Sequence, residues 1–183
     1  MGGQYEYSLL KRCGDDVFIS GNVEIRRPNL VSVGSHVAID SGFYCTVGAE
    51  LGDYIHIGPY VTVIGGAEAR VNMGNFTTIS AGSRLICASD AFLGEGFTSI
   101  TVPERYRDRV VRAPIRLEDF ASLATNVVVA PGVIIAEGSV VGSCSLVTRS
   151  TEPWTIYMGV PARPMKPRPR EKMLAMAREL GYR

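Results

Sequence analysis

The chain has 183 residues, with 19 basic residues (Lys and Arg) against 18 acidic ones (Asp and Glu). That length suits one sizeable domain, and the near balance of charge argues against nucleic acid or an anionic membrane as the main partner, since both select a basic excess. No apolar run approaches the ~20 residues that cross a bilayer, and the first residues lack the apolar stretch of a secretory signal. We therefore expect a cytoplasmic protein without membrane insertion.

Cysteine and histidine usage limits the disulfide and metal chemistry of the chain. The four cysteines lie far apart and form no CxxC pair, so a disulfide framework is not expected. The chain contains two histidines, His36 and His56. A three-histidine zinc site within one chain is therefore excluded, and with no cysteine cluster nearby we expect no metal.

Apolar residues recur every six positions from residue 33 onward. The fourth place after a leading residue is also apolar or small, as in Val37 after Val33 and Val127 after Leu123. An α-helix has 3.6 residues per turn and cannot keep this period on one face, whereas a plain strand would alternate every second residue. A six-residue period predicts a solenoid of very short strands joined by tight corners, with the leading residues stacked inside. The leading residues are Val33, Ile39, Cys45, Leu51, Ile57, Val63, Met73, Ile79, Leu85, Leu117, Leu123, Val129, Ile135, Val141 and Val147.

The repeat stops after Leu85 and resumes at Leu117, which predicts a loop that leaves the solenoid. Beyond the second run, the stretch PREKMLAMAREL predicts a short amphipathic helix. Its apolar face would consist of Met173, Leu174, Ala177 and Leu180. We divide the chain into an N-terminal segment (1–16), a solenoid (17–167) with an extruded loop (88–113), and a C-terminal helix (168–183).

Three specific motifs lie after the break: APGVII at 130–135, GSVVG at 138–142 and GVPARPMK at 159–166. With them, the chain resembles the hexapeptide-repeat acyltransferases over roughly residues 17–167, and most of all the galactoside, maltose and sugar-nucleotide acetyltransferases. The resemblance implies an all-β fold, a left-handed parallel β-helix of hexapeptide repeats with one extruded loop and a short C-terminal α-helix. It also implies a homotrimer, an active site between neighbouring subunits, and acetyl-CoA as the acyl donor.

The same resemblance implies that the coenzyme lies along the last coils. Arg163 and Lys166 match basic side chains suited to the 3′-phosphate and pyrophosphate of the coenzyme. One departure lies in this groove, where Cys144 replaces a usual glycine. The positions that match backbone contacts to the coenzyme are Ala124, Thr125, Ser143, Thr148 and Arg149.

The extended loop of this family carries the catalytic histidine, and the chain departs from the family there. A gap-free count places that position on Asp90, a one-residue slip places it on Ser89, and no histidine follows His56. A sugar hydroxyl is a very weak acid and needs a base, whereas a neutral amine attacks a thioester without prior deprotonation. A carboxylate can hold the amine and accept the proton from the intermediate. Asp90 as the catalytic residue therefore favours N-acetylation of an amino sugar; capping a turn is the structural alternative.

Other side chains offer contacts to the acceptor. Glu95 can accept hydrogen bonds from hydroxyl and amine groups, Arg105 can pair with a diphosphate, and Tyr106 presents a face to a sugar or a base. Ser89 and His56 complete the candidate substrate-binding set. A solvated surface with local ion pairs is the alternative for the charged residues of the loop.

These features favour an acetyl-CoA-dependent N-acetyltransferase that acts on a nucleotide-linked amino sugar in lipopolysaccharide or surface polysaccharide synthesis, by direct transfer in a ternary complex. A sugar O-acetyltransferase (galactoside/maltose or O-antigen type) and an antibiotic acetyltransferase are alternatives with the same fold. A non-catalytic β-helix scaffold is the alternative from another class, and it would need neither the polar loop nor the coenzyme motifs. The scarcity of histidines argues against an activity like that of carbonic anhydrase.

Overall fold

The computed structural model describes residues 5–182, which fold into a solenoid of short parallel strands. The strands form three sheets that make the faces of the solenoid. Most strands are only two or three residues long, because the chain turns a corner after each one. Face 1 contains, in spatial order, β1 (Arg12–Cys13), β4 (Val31–Val33), β7 (Gly48–Leu51), β10 (Arg70–Met73), β15 (Ile115–Leu117) and β18 (Ile134–Ile135).

The other two faces follow the same order along the solenoid. Face 2 contains β2 (Val17–Ile19), β5 (Val37–Ile39), β8 (Ile55–Ile57), β11 (Thr78–Ile79), β16 (Ser122–Leu123), β19 (Val140–Val141), β21 (Thr155–Met158) and β22 (Arg163–Pro167). Within face 2, only the last pair, β21 and β22, is antiparallel. Face 3 contains β3 (Glu24–Ile25), β6 (Tyr44–Cys45), β9 (Thr62–Ile64), β12 (Arg84–Ile86), β17 (Val128–Val129) and β20 (Leu146–Val147).

The core is the column of leading residues that the six-residue period predicts. Every one of them is buried, and so are their fourth-place partners except Ala67 and Ser89. The register shows why, since Met73 aligns with Leu51 in the preceding coil and with Leu117 in the following one. Each coil thus places a large aliphatic side chain directly over the next, and burial of this column is the main stabilising contribution.

A column of aromatic rings runs along the corner between faces 1 and 2, which we call the first corner. The rings of Tyr54 and Phe76 stack with centroids 4.9 Å apart, and those of Phe76 and Phe120 with centroids 5.2 Å apart. These residues have positive φ angles of 57–63°, a conformation that favours glycine. For residues with a side chain this conformation costs free energy, and stacking of the rings offsets that cost. At Gly138 the column has no side chain of its own, and the indole ring of Trp154 lies so close that an added Cβ would collide with it.

A second column, of polar side chains, runs along the first corner and bonds to its backbone. The Oδ1 atom of Asp53 accepts from the backbone N–H of Ser35 at 2.7 Å, and Oδ1 of Asn75 accepts from the N–H of Asp53 at 2.8 Å. Asp119 repeats the contact on the N–H of Asn75 at 2.8 Å. Each coil therefore satisfies backbone donors of its predecessor, which fixes the spacing between coils at this corner.

The C-terminal helix, α1 (Glu171–Glu179), covers the aromatic column. Ala177 is buried against Phe120 and Trp154, whereas Leu180 is exposed, so the apolar face is shorter than the sequence predicts. Before the helix, Nη1 of Arg168 donates to the carbonyls of Phe120 at 3.0 Å and Gly138 at 2.8 Å. Burial lowers the pKa of Arg168.

The boundaries of the solenoid differ from those drawn on the sequence. Strand β1 lies inside segment 1–16 and pairs with β4, so the solenoid begins before residue 17. The C-terminal segment is helical only over Glu171–Glu179. Residues 1–4 and residue 183 lie outside the part that the structure describes. Within residues 5–182, no helix is both long enough and apolar enough to span a bilayer.

Candidate active site

The interruption of the repeat leaves the solenoid at the corner between faces 3 and 1, which we call the third corner. It starts and ends with an antiparallel hairpin, β13 (Ala88–Asp90) and β14 (Val110–Arg112), in which Asp90 lies opposite Val110. Asp90 therefore sits on a hydrogen-bonded strand at the base of the loop. Its carboxylate has no hydrogen-bond or ion-pair partner within residues 5–182, so it does not cap a turn.

A second carboxylate organises the interior of the loop. Asp108 is only 3% exposed, and its oxygens accept from the N–H groups of Leu93 at 3.0 Å and Arg109 at 2.7 Å. Its own N–H donates to the carbonyl of Phe97 at 3.0 Å. Asp108 was not predicted from the sequence, because nothing in the residue order distinguishes a buried loop aspartate from a solvated one.

Arg107 and Gly96 also hold the loop together. The guanidinium of Arg107 donates to the carbonyls of Val102 at 2.7 Å and Ile100 at 2.6 Å. Gly96 passes so close to residue 107 that an added Cβ would lie 2.5 Å from its backbone carbon. This arginine is therefore a structural element of the loop, with two of its donors already engaged.

A cavity of about 340 Å³ lies between the hairpin and the turn at Gly65 and Gly66. Five of its ten lining residues are polar or charged, and Asp90 and Ser89 are among them. An unpartnered carboxylate in the wall of a cavity can accept hydrogen bonds from an amine or hydroxyl that enters it. The remaining lining residues are Ala88, Ser99, Ile100, Arg107, Val110 and Arg112.

The structure brings only some of the predicted acceptor residues together. Ser89 and Asp90 share the cavity, but Glu95, Arg105 and Tyr106 are exposed elsewhere on the loop, and Arg105 stacks over the ring of Tyr106 at 4.7 Å. His56 lies on the outward side of face 2, in β8, with Nε2 2.9 Å from Oδ2 of Asp40. Within one subunit, His56 and Asp90 therefore lie at different corners.

The predicted coenzyme residues form three groups. Ala124, Thr125 and Ser143 lie along the corner between faces 2 and 3, which we call the second corner; the N–H of Cys144 donates to the carbonyl of Thr125 at 2.9 Å. Thr148 and Arg149 follow β20, toward the third corner. Arg163 and Lys166 are exposed on β22. Trp154 is buried in the aromatic column.

The outer part of the loop presents apolar side chains to solvent. Phe92 is 70% exposed and Ile100 is 86% exposed. Leu93 and Phe97 are also more than half exposed. An exposed apolar patch on a structured loop is typical of a protein–protein contact.

No metal site is found in the described part of the chain, and two of its four thiols are deeply buried. No group of three or more His, Cys, Asp or Glu side chains there could hold a metal ion. Burial raises the pKa of the Cys45 and Cys87 thiols to about 11, so neither thiol is a nucleophile near neutral pH.

Similarity to known proteins is spread over the whole solenoid. No protein-family model matches the chain. The dTDP-4-amino-4,6-dideoxy-D-glucose acyltransferase of Escherichia coli is 26% identical over 163 residues, which cover 86% of this chain and 82% of the relative. AntD, an N-acyltransferase from Bacillus cereus solved with dTDP and 3-hydroxybutyryl-CoA, is 30% identical, with a TM-score of 0.91 and coverage of 98% of this chain and 97% of AntD.

A more distant structure supports the fold alone. The hexapeptide-repeat acetyltransferase of Vibrio cholerae, solved with acetyl-CoA, is 22% identical, has a TM-score of 0.56, and covers 87% of this chain and 72% of its own. The fold is the left-handed parallel β-helix, which confirms the fold predicted from the sequence. On the strength of its coils, its extruded loop and its match to AntD over nearly the full length of both chains, this protein belongs to the hexapeptide-repeat acyltransferases.

Proposed function

We propose that the protein is an acyl-CoA-dependent N-acyltransferase whose acceptor is an amino sugar linked to a nucleoside diphosphate. The observation that carries this proposal is the free carboxylate of Asp90 beside its cavity, at the position where a histidine would serve a hydroxyl acceptor. The named activities of AntD and of the E. coli relative support an amine acceptor.

The variants of AntD whose structures have been solved support the assignment of Asp90. They replace one aspartate, and also one serine ten positions before it. In this chain Ser80 stands ten positions before Asp90. Ser80 lies at the second corner, where its N–H donates to the carbonyl of Leu123 at 2.8 Å. We therefore add Ser80 to the proposed site.

The proposed chemistry is direct transfer. The neutral amine attacks the thioester carbon, a C–N bond forms, and the tetrahedral intermediate expels the thiolate of CoA as the C–S bond breaks. Asp90 holds the amine before attack and accepts the proton that the ammonium-like nitrogen releases. The thiolate then takes up a proton, so the products are an amide and CoA. Because no strong base is required, an aspartate can replace the family's histidine.

The proposed enzyme is a homotrimer with shared active sites. Asp90 stands at the third corner, whereas Ser80, Ala124 and Ser143 stand at the second corner, so one subunit alone does not bring them together. A neighbouring subunit whose second corner lies against this loop would do so, and the exposed Phe92 and Ile100 would then be covered. A sedimentation mass that matches a monomer at micromolar concentration would contradict this assembly.

The proposed product and the cysteines bear on where in the cell the protein acts. An N-acylated nucleotide sugar is an activated donor that a glycosyltransferase consumes, which supports a place before glycosyl transfer into lipopolysaccharide or another surface polysaccharide. The four free cysteines support a location in the reducing cytoplasm.

A thiol-release assay tests the proposal. Acetyl-CoA and 3-hydroxybutyryl-CoA are each offered with a panel of nucleotide-linked amino sugars and with matched sugars that carry a hydroxyl in place of the amine. We expect CoA release with amino sugars only, and release with hydroxyl sugars instead would refute the N-acyl assignment. Detection of CoA by chromatography avoids the background from the exposed Cys144 thiol.

A further inference from the structure

The second corner continues on the N-terminal side of Ser80 with polar and aromatic groups that the proposed reaction does not use. Successive coils stack there directly, because the N–H of Tyr60 donates to the carbonyl of Ser41 at 2.9 Å and the N–H of Gly82 to that of Pro59 at 2.9 Å. The proposed coenzyme residues Ala124 and Thr125 lie on the same edge, but on the C-terminal side of Ser80. On the C-terminal side of Ser80, the second corner therefore carries the proposed acyl-CoA residues. On the N-terminal side of Ser80, its residues have no assigned role, and we call this the unassigned half.

Tyr60 is an isolated aromatic ring on this unassigned half. Its φ of 58° matches that of the stacked rings at the first corner, yet no ring within residues 5–182 stacks on it, and it is 68% exposed. It leans over Gly42, where an added Cβ would lie 2.5 Å from the ring. The next coil places Gly82 at the same corner position, which adds no side chain over the ring. Tyr60 thus offers an open face on which a nucleobase can stack.

His56 and Arg84 flank Tyr60 on either side of the corner. Asp40 occupies Nε2 of His56 at 2.9 Å, which fixes the imidazole and leaves Nδ1 without a partner in the described chain. A ring that carries protons on both nitrogens can keep its contact to Asp40 and donate Nδ1–H to a phosphate oxygen. Arg84 is exposed on face 3, and its Nη1 donates to the carbonyl of Gly82 at 2.7 Å, which holds the guanidinium at the same corner.

We propose that Tyr60, His56 and Arg84 bind a nucleoside diphosphate at the second corner, with the base on the Tyr60 ring and the phosphates on the His56 imidazole and the Arg84 guanidinium. The inference rests on the proposed function, and it deepens that function by naming the site of the acceptor's nucleotide. Both substrates carry a nucleoside diphosphate, since CoA contains one as well. Position along the edge favours the acceptor, because the proposed CoA residues lie beyond Ser80 on the other side.

Calorimetric titration of the intact protein with dTDP and, separately, with CoA tests the site. We expect Tyr60→Leu, His56→Gln and Arg84→Gln each to raise the Kd for dTDP about tenfold, while Tyr60→Phe stays within about twofold. The Kd for CoA should change by less than about twofold in all of them. His36→Gln and Arg70→Gln are matched controls: His36 forms a similar pair with Asp16 at 2.9 Å, and Arg70 donates to the carbonyl of Ala67 at 3.4 Å.

The outcomes separate this inference from the proposed reaction. An unchanged dTDP Kd in Tyr60→Leu, His56→Gln and Arg84→Gln, in proteins whose thermal unfolding matches the parent, overturns the inference. A rise in the CoA Kd instead assigns the corner to the donor and also overturns it. If the parent acylates amino sugars but binds none of dTDP, UDP and GDP, the inference fails and the N-acyltransferase stands. If the variants lose dTDP but the parent acylates no amine, the reaction fails and the nucleotide site stands.

Discussion

The hydroxyl of Tyr182 donates a 2.8 Å hydrogen bond to Oδ2 of Asp53, a residue 129 positions earlier in the chain. Asp53 belongs to the polar column of the first corner, and its other oxygen already holds the N–H of Ser35. The ring of Tyr182 also meets the rings of Tyr54 and Phe76 edge-on, with centroids 5.6 and 5.0 Å away. The end of the C-terminal segment is thus fastened to an early coil of the solenoid.

This hydrogen bond predicts a loss of stability at alkaline pH. It raises the pKa of Tyr182 to about 12, above the ~10 of an unfolded tyrosine. A raised folded-state pKa means that the stabilisation is fully present below about pH 10 and is lost as the pH rises toward 12. We expect the free energy of unfolding to fall more steeply over this window in the parent than in Tyr182→Phe, which keeps the ring contacts. Identical pH profiles from denaturant titrations of the two proteins would show that the bond contributes nothing.

Alanine substitutions at two glycines can distinguish the free-energy cost of backbone strain from that of steric crowding. Gly138 and Gly94 both have positive φ, 65° and 76°, but a Cβ on Gly138 would meet the ring of Trp154, whereas one on Gly94 would meet nothing within 4 Å. Alanine at either position should cost about 1–2 kcal/mol for the left-handed conformation. Gly138→Ala should cost about 1–3 kcal/mol more, because the indole must move. Equal losses in urea unfolding would contradict the packing described at the first corner.

The period of six was sufficient to predict the core, because burial in a solenoid depends only on which residue of each repeat points inward. Cys45 and Met73 fall in the column as readily as Ile39 does. The aromatic column was not predicted, since Tyr54, Phe76 and Phe120 adopt positive φ values that the residue types do not favour. Their stacking becomes visible only when residues of successive coils are superposed.

The candidate site was predicted less completely than the core. Counting from the coil before the loop assigned the catalytic position to Asp90, which lies on the hairpin at the base of the extruded segment. Within residues 91–109 no period exists to order the side chains. Asp108 and Arg107 turned out to bond to the loop's own backbone. Glu95, Arg105 and Tyr106 do not line the cavity, which sequence spacing in an irregular loop cannot reveal. The roles of Tyr60 and Asp40 beside His56 were not predicted, because their proximity to His56 arises from the stacking of coils.

The exposed basic residues near the C-terminus predict a charge effect on coenzyme affinity. Arg149→Ala, Arg163→Ala and Lys166→Ala should each raise the KM for acyl-CoA by the equivalent of about 1–3 kcal/mol, because each would remove a positive charge from the proposed phosphate site. Arg170→Ala, at the start of the helix, is the matched control and should leave KM near the parent value. If the three variants keep the parent KM under initial-rate conditions, the coenzyme lies elsewhere.

Turnover by Asp90→Asn, measured at saturating acyl-CoA on the best amino-sugar acceptor, tests the account's central claim most directly. The substitution keeps the size of the side chain and removes the negative charge that, in the proposed mechanism, holds the amine and accepts its proton. We expect kcat to fall about 10²–10⁴-fold, the usual scale for loss of a general base, with the Kd for acyl-CoA unchanged. Glu95→Gln, which removes a charge, and Ser89→Ala, which removes a hydroxyl, should lose far less. Full activity of Asp90→Asn would contradict the claim that this carboxylate serves the transfer.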